Sequence, residues 1–193
     1  MNIILVHGIF DTAKIFKPMA RKLEANGHKC FGPNLKPFDG RLGLIDLAKK
    51  LQHFIDQKLG KDQPIAIIGF SMGGLVARYY LQYLDGYKRT LTFFSISSPH
   101  SGTWTAYCYF GKGARDMRPN SRFLAKLAAN ETKLSGMNLY SYRTPLDAMI
   151  IPSVSSDWKI AKNIQVKALT HNLMLYNQTI CADIVKQLRD KGV

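Results

Sequence analysis

The 193 residues suit one domain with a short insertion, and an apolar fraction of 46% is enough for a core. The balance of 27 basic against 13 acidic residues leaves a formal charge of +14, yet the basic residues are spread along the chain and no nucleic-acid motif is present. The excess reads as solubility with a weak attraction to anionic membrane surfaces, not as nucleic-acid binding. Cys30, Cys108 and Cys181 form no Cys-x-x-Cys pair and their number is odd, which excludes a disulfide scaffold and a zinc site and leaves reduced packing residues.

The first apolar run, Ile3-Ile4-Leu5-Val6, is short and rich in β-branched residues, and it stops at His7-Gly8. It reads as a buried strand. It is too short for a signal-peptide core or a membrane span, so the expected location is cytoplasmic. Asp11 or Thr12 is placed to cap a helix reaching about residue 26, with Ile15, Phe16, Met19, Ala20 and Leu23 on one face and Gly27 as its stop. A weak strand follows at 29–31. Residues 42–59 carry a second amphipathic pattern through Leu44, Leu47, Leu51, Phe54 and Ile55.

Residues 64–69 include Ile65-Ala66-Ile67-Ile68 without alternation, the pattern of a central parallel strand covered on both faces. A helix from 72 to about 84 and a strand over 91–97 come next. The stretch 101–135, rich in glycine and ending in a short helical pattern, breaks the rhythm and reads as an insertion over the C-terminal edge of the sheet. Strands over 137–142 and 164–168 and a closing helix over 172–189 complete the chain. Alternating strands and helices imply right-handed crossovers and a parallel sheet. The expected architecture is therefore a single α/β domain, 1–193, with about six mostly parallel strands and a cap-like insertion at 103–135.

One turn carries chemistry. Gly69-Phe70-Ser71-Met72-Gly73 lies between the central strand and a helix. A serine hydroxyl needs a base and a projecting position to act as a nucleophile. The Gly-x-Ser-x-Gly elbow supplies the position through a tight, strained strand-to-helix turn, with Gly74 adding room. The bare motif recurs by chance in roughly one chain in fifteen of this length, so its strand–turn–helix context carries the weight. The other reading, a glycine-rich phosphate loop, lacks the lysine that would follow the glycines.

A parallel sheet sets the loop His7-Gly8-Ile9-Phe10 beside this turn. An N–H from that loop and the N–H of Met72 would form an oxyanion hole. His7 itself also reads as a satisfied loop histidine and is not the base. The base is expected at a strand end on the other flank, where Thr170-His171-Asn172 lies. Asp147, in Thr144-Pro145-Leu146-Asp147, would orient the imidazole. Asp147 also reads as a turn residue, with Asp157 as the alternative acid, and His171 also reads as a helix cap. His28 and His53 are taken as surface residues. His100 is at most a cleft residue.

Together, Val6-His7-Gly8-Ile9, Gly69–Arg78, Ser98-Pro99-His100-Ser101-Gly102-Thr103, Asp147 and His171 resemble a compact bacterial lipase or esterase of the α/β-hydrolase superfamily. The resemblance spans nearly the whole chain. It implies that Ile9 and Met72 donate the oxyanion N–H groups and that the sheet lacks the first two strands of larger relatives. The structural calcium site and disulfide of some larger relatives have no match here. The expected activity is hydrolysis of carboxylic esters by Ser71, His171 and Asp147 through an acyl-enzyme, with no cofactor and no metal. The substrate is a small-molecule or lipid ester, with Phe10, His100 and Trp104 as candidate contacts. A thioesterase or acyltransferase with the same triad, and a non-catalytic binder on the same fold, are the alternatives. An aromatic-rich insertion (Trp104, Tyr107, Tyr109, Phe110, Met117, Phe123, Leu124) suits an acyl chain, or else only packs on the sheet edge.

Overall fold

The computed structural model describes residues 1–190. Six strands form one all-parallel sheet, β1 (Asn2–Val6), β2 (Lys29–Phe31), β3 (Ile65–Phe70), β4 (Thr90–Ile96), β5 (Asn138–Arg143) and β6 (Lys162–Gln165), in the order β2-β1-β3-β4-β5-β6. All six residues of β3 are buried, as its unbroken apolar run requires of a strand paired on both sides.

Alternation divides the strand residues between two cores. Ile4, Val6, Ile67 and Phe93 face α2 (Leu44–Leu59) and α3 (Met72–Tyr83). Ile3, Leu5, Ile68 and Phe94 face α1 (Lys17–Glu24) and α6 (Gln178–Asp190). A run that looked uniformly apolar in sequence therefore serves two layers of helices.

Several boundaries differ from the sequence expectation, each for a local reason. The first helix opens as a 3-10 turn, Ala13–Phe16, before α1, because Pro18 in the first turn of α1 has no N–H to donate. Thr12 caps the 3-10 turn by accepting from Lys14 N at 3.4 Å. The strand expected over 164–168 is Lys162–Gln165. Val166 and Ala168 are buried as the alternation suggests, but Ala168 pairs with the side chain of Thr144, whose hydroxyl donates to Ala168 O at 2.7 Å. The closing helix divides at Asn177, which is extended at φ −67°, ψ 120° and accepts from Ile180 N at 3.2 Å, capping α6.

The 103–135 segment is only partly a surface element. It holds α4 (Lys112–Asp116) and α5 (Arg122–Ala129). Met117, Phe123, Leu124 and Leu127 are buried in the core with α2 and α3, and Phe123 stacks on Tyr79 with ring centroids 5.8 Å apart. Trp104, Tyr107 and Phe110 remain exposed. The packing reading of the segment holds for its second half.

Candidate active site

The elbow follows from where β3 ends. Ser71 sits at φ 54°, ψ −125°, a conformation costly for an L-residue and sustained only by its surroundings. Its N–H donates to Ile96 O at 2.9 Å, which fixes the turn to β4. The flanking glycines answer two different neighbours. A Cβ on Gly69 would stand 2.6 Å from Gly74 Cα, a clash inside the turn. A Cβ on Gly73 would run into the backbone carbonyls of Val6 and His7. The second glycine is thus demanded by the neighbouring strand and not by the elbow alone.

His171 and Asp147 meet from separate loops. His171 Nδ1 lies 2.8 Å from Asp147 Oδ2 and 3.0 Å from Oδ1. A carboxylate accepts, so Nδ1 carries the proton and Nε2 keeps its lone pair. Asp147 Oδ1 also accepts from Met149 N and Ile150 N, both at 2.9 Å. Asp147 is therefore a turn residue and a histidine partner at once. Burial pushes its carboxyl up, but the hydrogen bond and charge of His171 and the two amides outweigh this and hold it below its ordinary value. The His171 ring also packs on Phe70, with centroids 4.7 Å apart. Asp157, the alternative acid, is bound to Arg143 Nε at 2.8 Å instead.

Ser71 and His171 line a common cleft of about 340 Å³ with Ile9, Phe10, Asp11, Ala148, Met149, Thr170 and Asn172. On the oxyanion side, the N–H of Phe10 is committed to Phe38 O at 2.8 Å, so Ile9 is the candidate donor of that pair. Met72 opens α3, where its N–H has no partner within the helix. His7 is a satisfied loop histidine. Leu35 N donates to its Nε2 at 2.9 Å, so Nδ1 carries the proton and donates to Gly8 O at 2.9 Å. Burial pushes its pKa down.

Four expectations need correction. His100 is not a cleft residue: it is buried, its ring stacks on Trp158 at 4.7 Å, and its Nε2 lies 2.8 Å from Ser95 Oγ. Desolvation first, and the Arg78 charge second, push its pKa well down. Trp104 is exposed and stacks on Tyr107 at 5.6 Å, outside the residues that line the cleft, whereas Phe10 does line it. His28 is not on the surface but 7% exposed, with neither ring nitrogen hydrogen-bonded among the described residues, and burial pushes its pKa down. All three cysteines are free, but Cys108 is exposed and does not pack. Asp11 is the cleft residue that the sequence reading missed, having been taken only as a helix cap.

A parallel sheet with a strained serine between its central strand and the next helix, facing a histidine–aspartate pair, defines a protein of the α/β-hydrolase type. A family model for the alpha/beta hydrolase fold matches residues 2–108, more than half of the chain, and the chain belongs to that family. Lysosomal thioesterase PPT2 of Homo sapiens is 30% identical over 106 residues, which is 53% of this chain and 35% of that protein. The PPT2 homolog of Drosophila melanogaster is 29% identical over 106 residues, 53% of this chain and 36% of its own length. The matched stretch thus spans about a third of these relatives.

Among solved structures, the mature form of Bacillus licheniformis lipase BlEst2 aligns with a TM-score of 0.77 at 14% identity, over 97% of this chain and 91% of that one. Aspergillus fumigatus lipase B aligns with a TM-score of 0.80 at 18% identity, over 95% and 51%. At such identities the likeness is one of fold. No helix among the described residues is long and apolar enough to cross a membrane, and no group of His, Cys, Asp or Glu among them is arranged to hold a metal.

Proposed function

We propose that the chain is a serine hydrolase of carboxylic esters, with Ser71 as nucleophile, His171 as base and Asp147 as its orienting acid. The observation that carries this reading is the bidentate contact of Asp147 with His171 Nδ1, beside a cleft shared with Ser71. Ser71 Oγ attacks the ester carbonyl as His171 Nε2 takes its proton. The Ile9 and Met72 amides hold the oxyanion, and the elbow places the positive end of α3 beneath it. Collapse of the tetrahedral species expels the alcohol, protonated by His171. Water then attacks the acyl-serine, gives its proton to His171 and releases the acid, and the proton returns to Ser71.

The rim supports an apolar substrate. Among the described residues, eleven of the thirteen exposed large apolar side chains lie in segments that follow the C-terminal ends of β1, β4, β5 and β6, including Phe10, Phe110, Ile151, Leu169 and Tyr176. The loops that carry Asp147 and His171 also build an apolar groove of about 660 Å³ lined by Leu146, Leu169, Leu173 and Tyr176. A thioesterase is the second reading, favoured by the PPT2 match over about half of the chain.

Labelling by a fluorophosphonate tests the nucleophile: wild type reacts and Ser71→Ala does not. Unlabelled wild type, or equal labelling of both, overturns the reading. Turnover of matched oxygen esters and thioesters of rising chain length separates ester hydrolase from thioesterase.

A further inference from the structure

The cleft holds a charge that the triad does not use. Asp11 is half-buried and lines the cleft with Ser71 and His171. A methyl group placed on Gly8 would stand 3.1 Å from Ser71 Cβ and 3.2 Å from Asp11 Oδ2, so nucleophile and carboxylate flank one point. A turn closed by Asp11 N donating to Gly8 O at 3.4 Å keeps the residue beside the oxyanion loop. Among the described residues, no lysine or arginine forms an ion pair with Asp11. No lysine or arginine lines the cleft either, and its other lining residues besides His171 carry no ionisable side chain. Burial lifts the Asp11 carboxyl above its ordinary value, against the smaller pull of the nearby His7 and His171. A chain with a formal charge of +14 therefore presents a carboxylate to its substrate.

We infer that Asp11 determines specificity: it binds a hydroxyl donor or an ammonium cation on the alcohol portion of the ester and excludes alcohols that bear a carboxylate or phosphate. The leaving oxygen must take its proton from His171, so the alcohol portion lies beside His171 in the cleft that Asp11 also lines. An ionised carboxylate only accepts hydrogen bonds, so it rewards donors and repels anions. In a partly desolvated cleft, two like charges about 6 Å apart weaken binding by on the order of a hundredfold, and screening reduces this toward tenfold.

The inference rests on the ester-hydrolase reading, and one experiment keeps the two apart. Butyrate esters of propanol, glycerol, choline and glycolate are assayed with wild type, Asp11→Asn and Asp11→Glu, alongside labelling of Ser71 by a neutral fluorophosphonate. The expected result is a wild-type preference for the choline over the glycolate ester of roughly tenfold or more in kcat/KM. Asp11→Asn should collapse that preference chiefly through KM, and Asp11→Glu should keep it. Labelled wild type that shows no preference, or a preference equal in wild type and Asp11→Asn, overturns the role of Asp11 alone. Unlabelled wild type overturns the hydrolase reading beneath it.

Discussion

Two serine–histidine clusters lie within this fold, and their difference is instructive. Ser71 and His171 open onto a cleft, whereas Ser95 and His100 are sealed between β4 and Trp158. The sealed pair is in direct contact, 2.8 Å between Ser95 Oγ and His100 Nε2. Its chemistry nevertheless runs the wrong way. Arg78 Nη1 reaches His100 Nδ1 at 3.4 Å, and an arginine only donates. The His100 proton therefore sits on Nε2, which donates to Ser95 and leaves no lone pair to accept from it. At His171 the partner of Nδ1 is a carboxylate, which only accepts, so the proton is held on Nδ1 and Nε2 keeps its lone pair. The group behind the imidazole decides whether a serine beside it gains a base.

The sealed cluster has a structural part to play. Arg78, on the helix that follows the elbow, pairs with Glu131 at 2.5 Å and lies 4.6 Å from the Trp158 ring centroid. Glu131 also accepts from Trp158 Nε1 at 2.8 Å. The network ties α3 to the inserted segment and to the β5–β6 connection, and Arg78 is 2% exposed. Removing one partner of such a pair leaves an uncompensated buried charge, so the network is cheaper to keep whole than to break.

Paired substitutions break the comparison most sharply. Ser71→Ala should lower kcat/KM by about 10⁴-fold or more while moving stability by less than about 0.5 kcal/mol. Ser95→Ala should do the reverse, costing about 1–3 kcal/mol because His100 Nε2–H loses its acceptor, with less than about a tenfold change in kcat/KM. Ester kinetics and urea unfolding of both variants check this, and a catalytic collapse in Ser95→Ala would reverse the assignment.

Asp147→Asn comes next. It removes the acceptor that fixes the His171 tautomer, and kcat should fall by about 10³- to 10⁴-fold. The same residue has a stability signature. Its folded pKa is depressed, so its contribution is present above the unfolded value of about 3.9 and is lost as pH falls through the lower folded value. Urea midpoints should therefore differ most between wild type and variant near neutrality and converge in strong acid. A gap that widens on acidification would contradict the pairing.

The smallest effect belongs to His100. Its folded pKa is pushed well down, so below about pH 6.5 the unfolded chain binds a proton that the folded chain refuses. Stability should be complete above that pH and decline below it by at most about 1.4 kcal/mol per pH unit for this group. His100→Gln should flatten the slope between pH 7.5 and 5, leaving the portion due to His7 and His28, whose values are also lowered. An unchanged slope would show that His100 is charged in the folded state.

Much of this molecule was legible in the sequence because the signals were local. The apolar run 65–68 marks a central strand since a strand buried on both faces needs an apolar residue at every position. The glycines around Ser71 mark the elbow because no Cβ fits there. The order of strands and helices then put His171 and Asp147 at the right sheet edge. Surface and interior were less legible outside the sheet. The aromatic stretch at 104–124 has one composition throughout, yet Phe123 is in the core and Phe110 is in solvent. His28 reads as a surface residue and His100 as a cleft residue until neighbouring elements close over them.

What the sequence determined by itself is thus the parallel α/β plan and the strained turn at Ser71, since both follow from backbone sterics and periodicity within short windows. What only the tertiary structure decided is which histidine holds its proton on which nitrogen. That depends on whether a carboxylate or a guanidinium arrives behind the ring, from residues 24 and 22 positions away, and no local pattern records it. The same holds for Asp11, a helix-cap candidate in the sequence, which becomes a cleft carboxylate only when β1 and β3 bring their loops together.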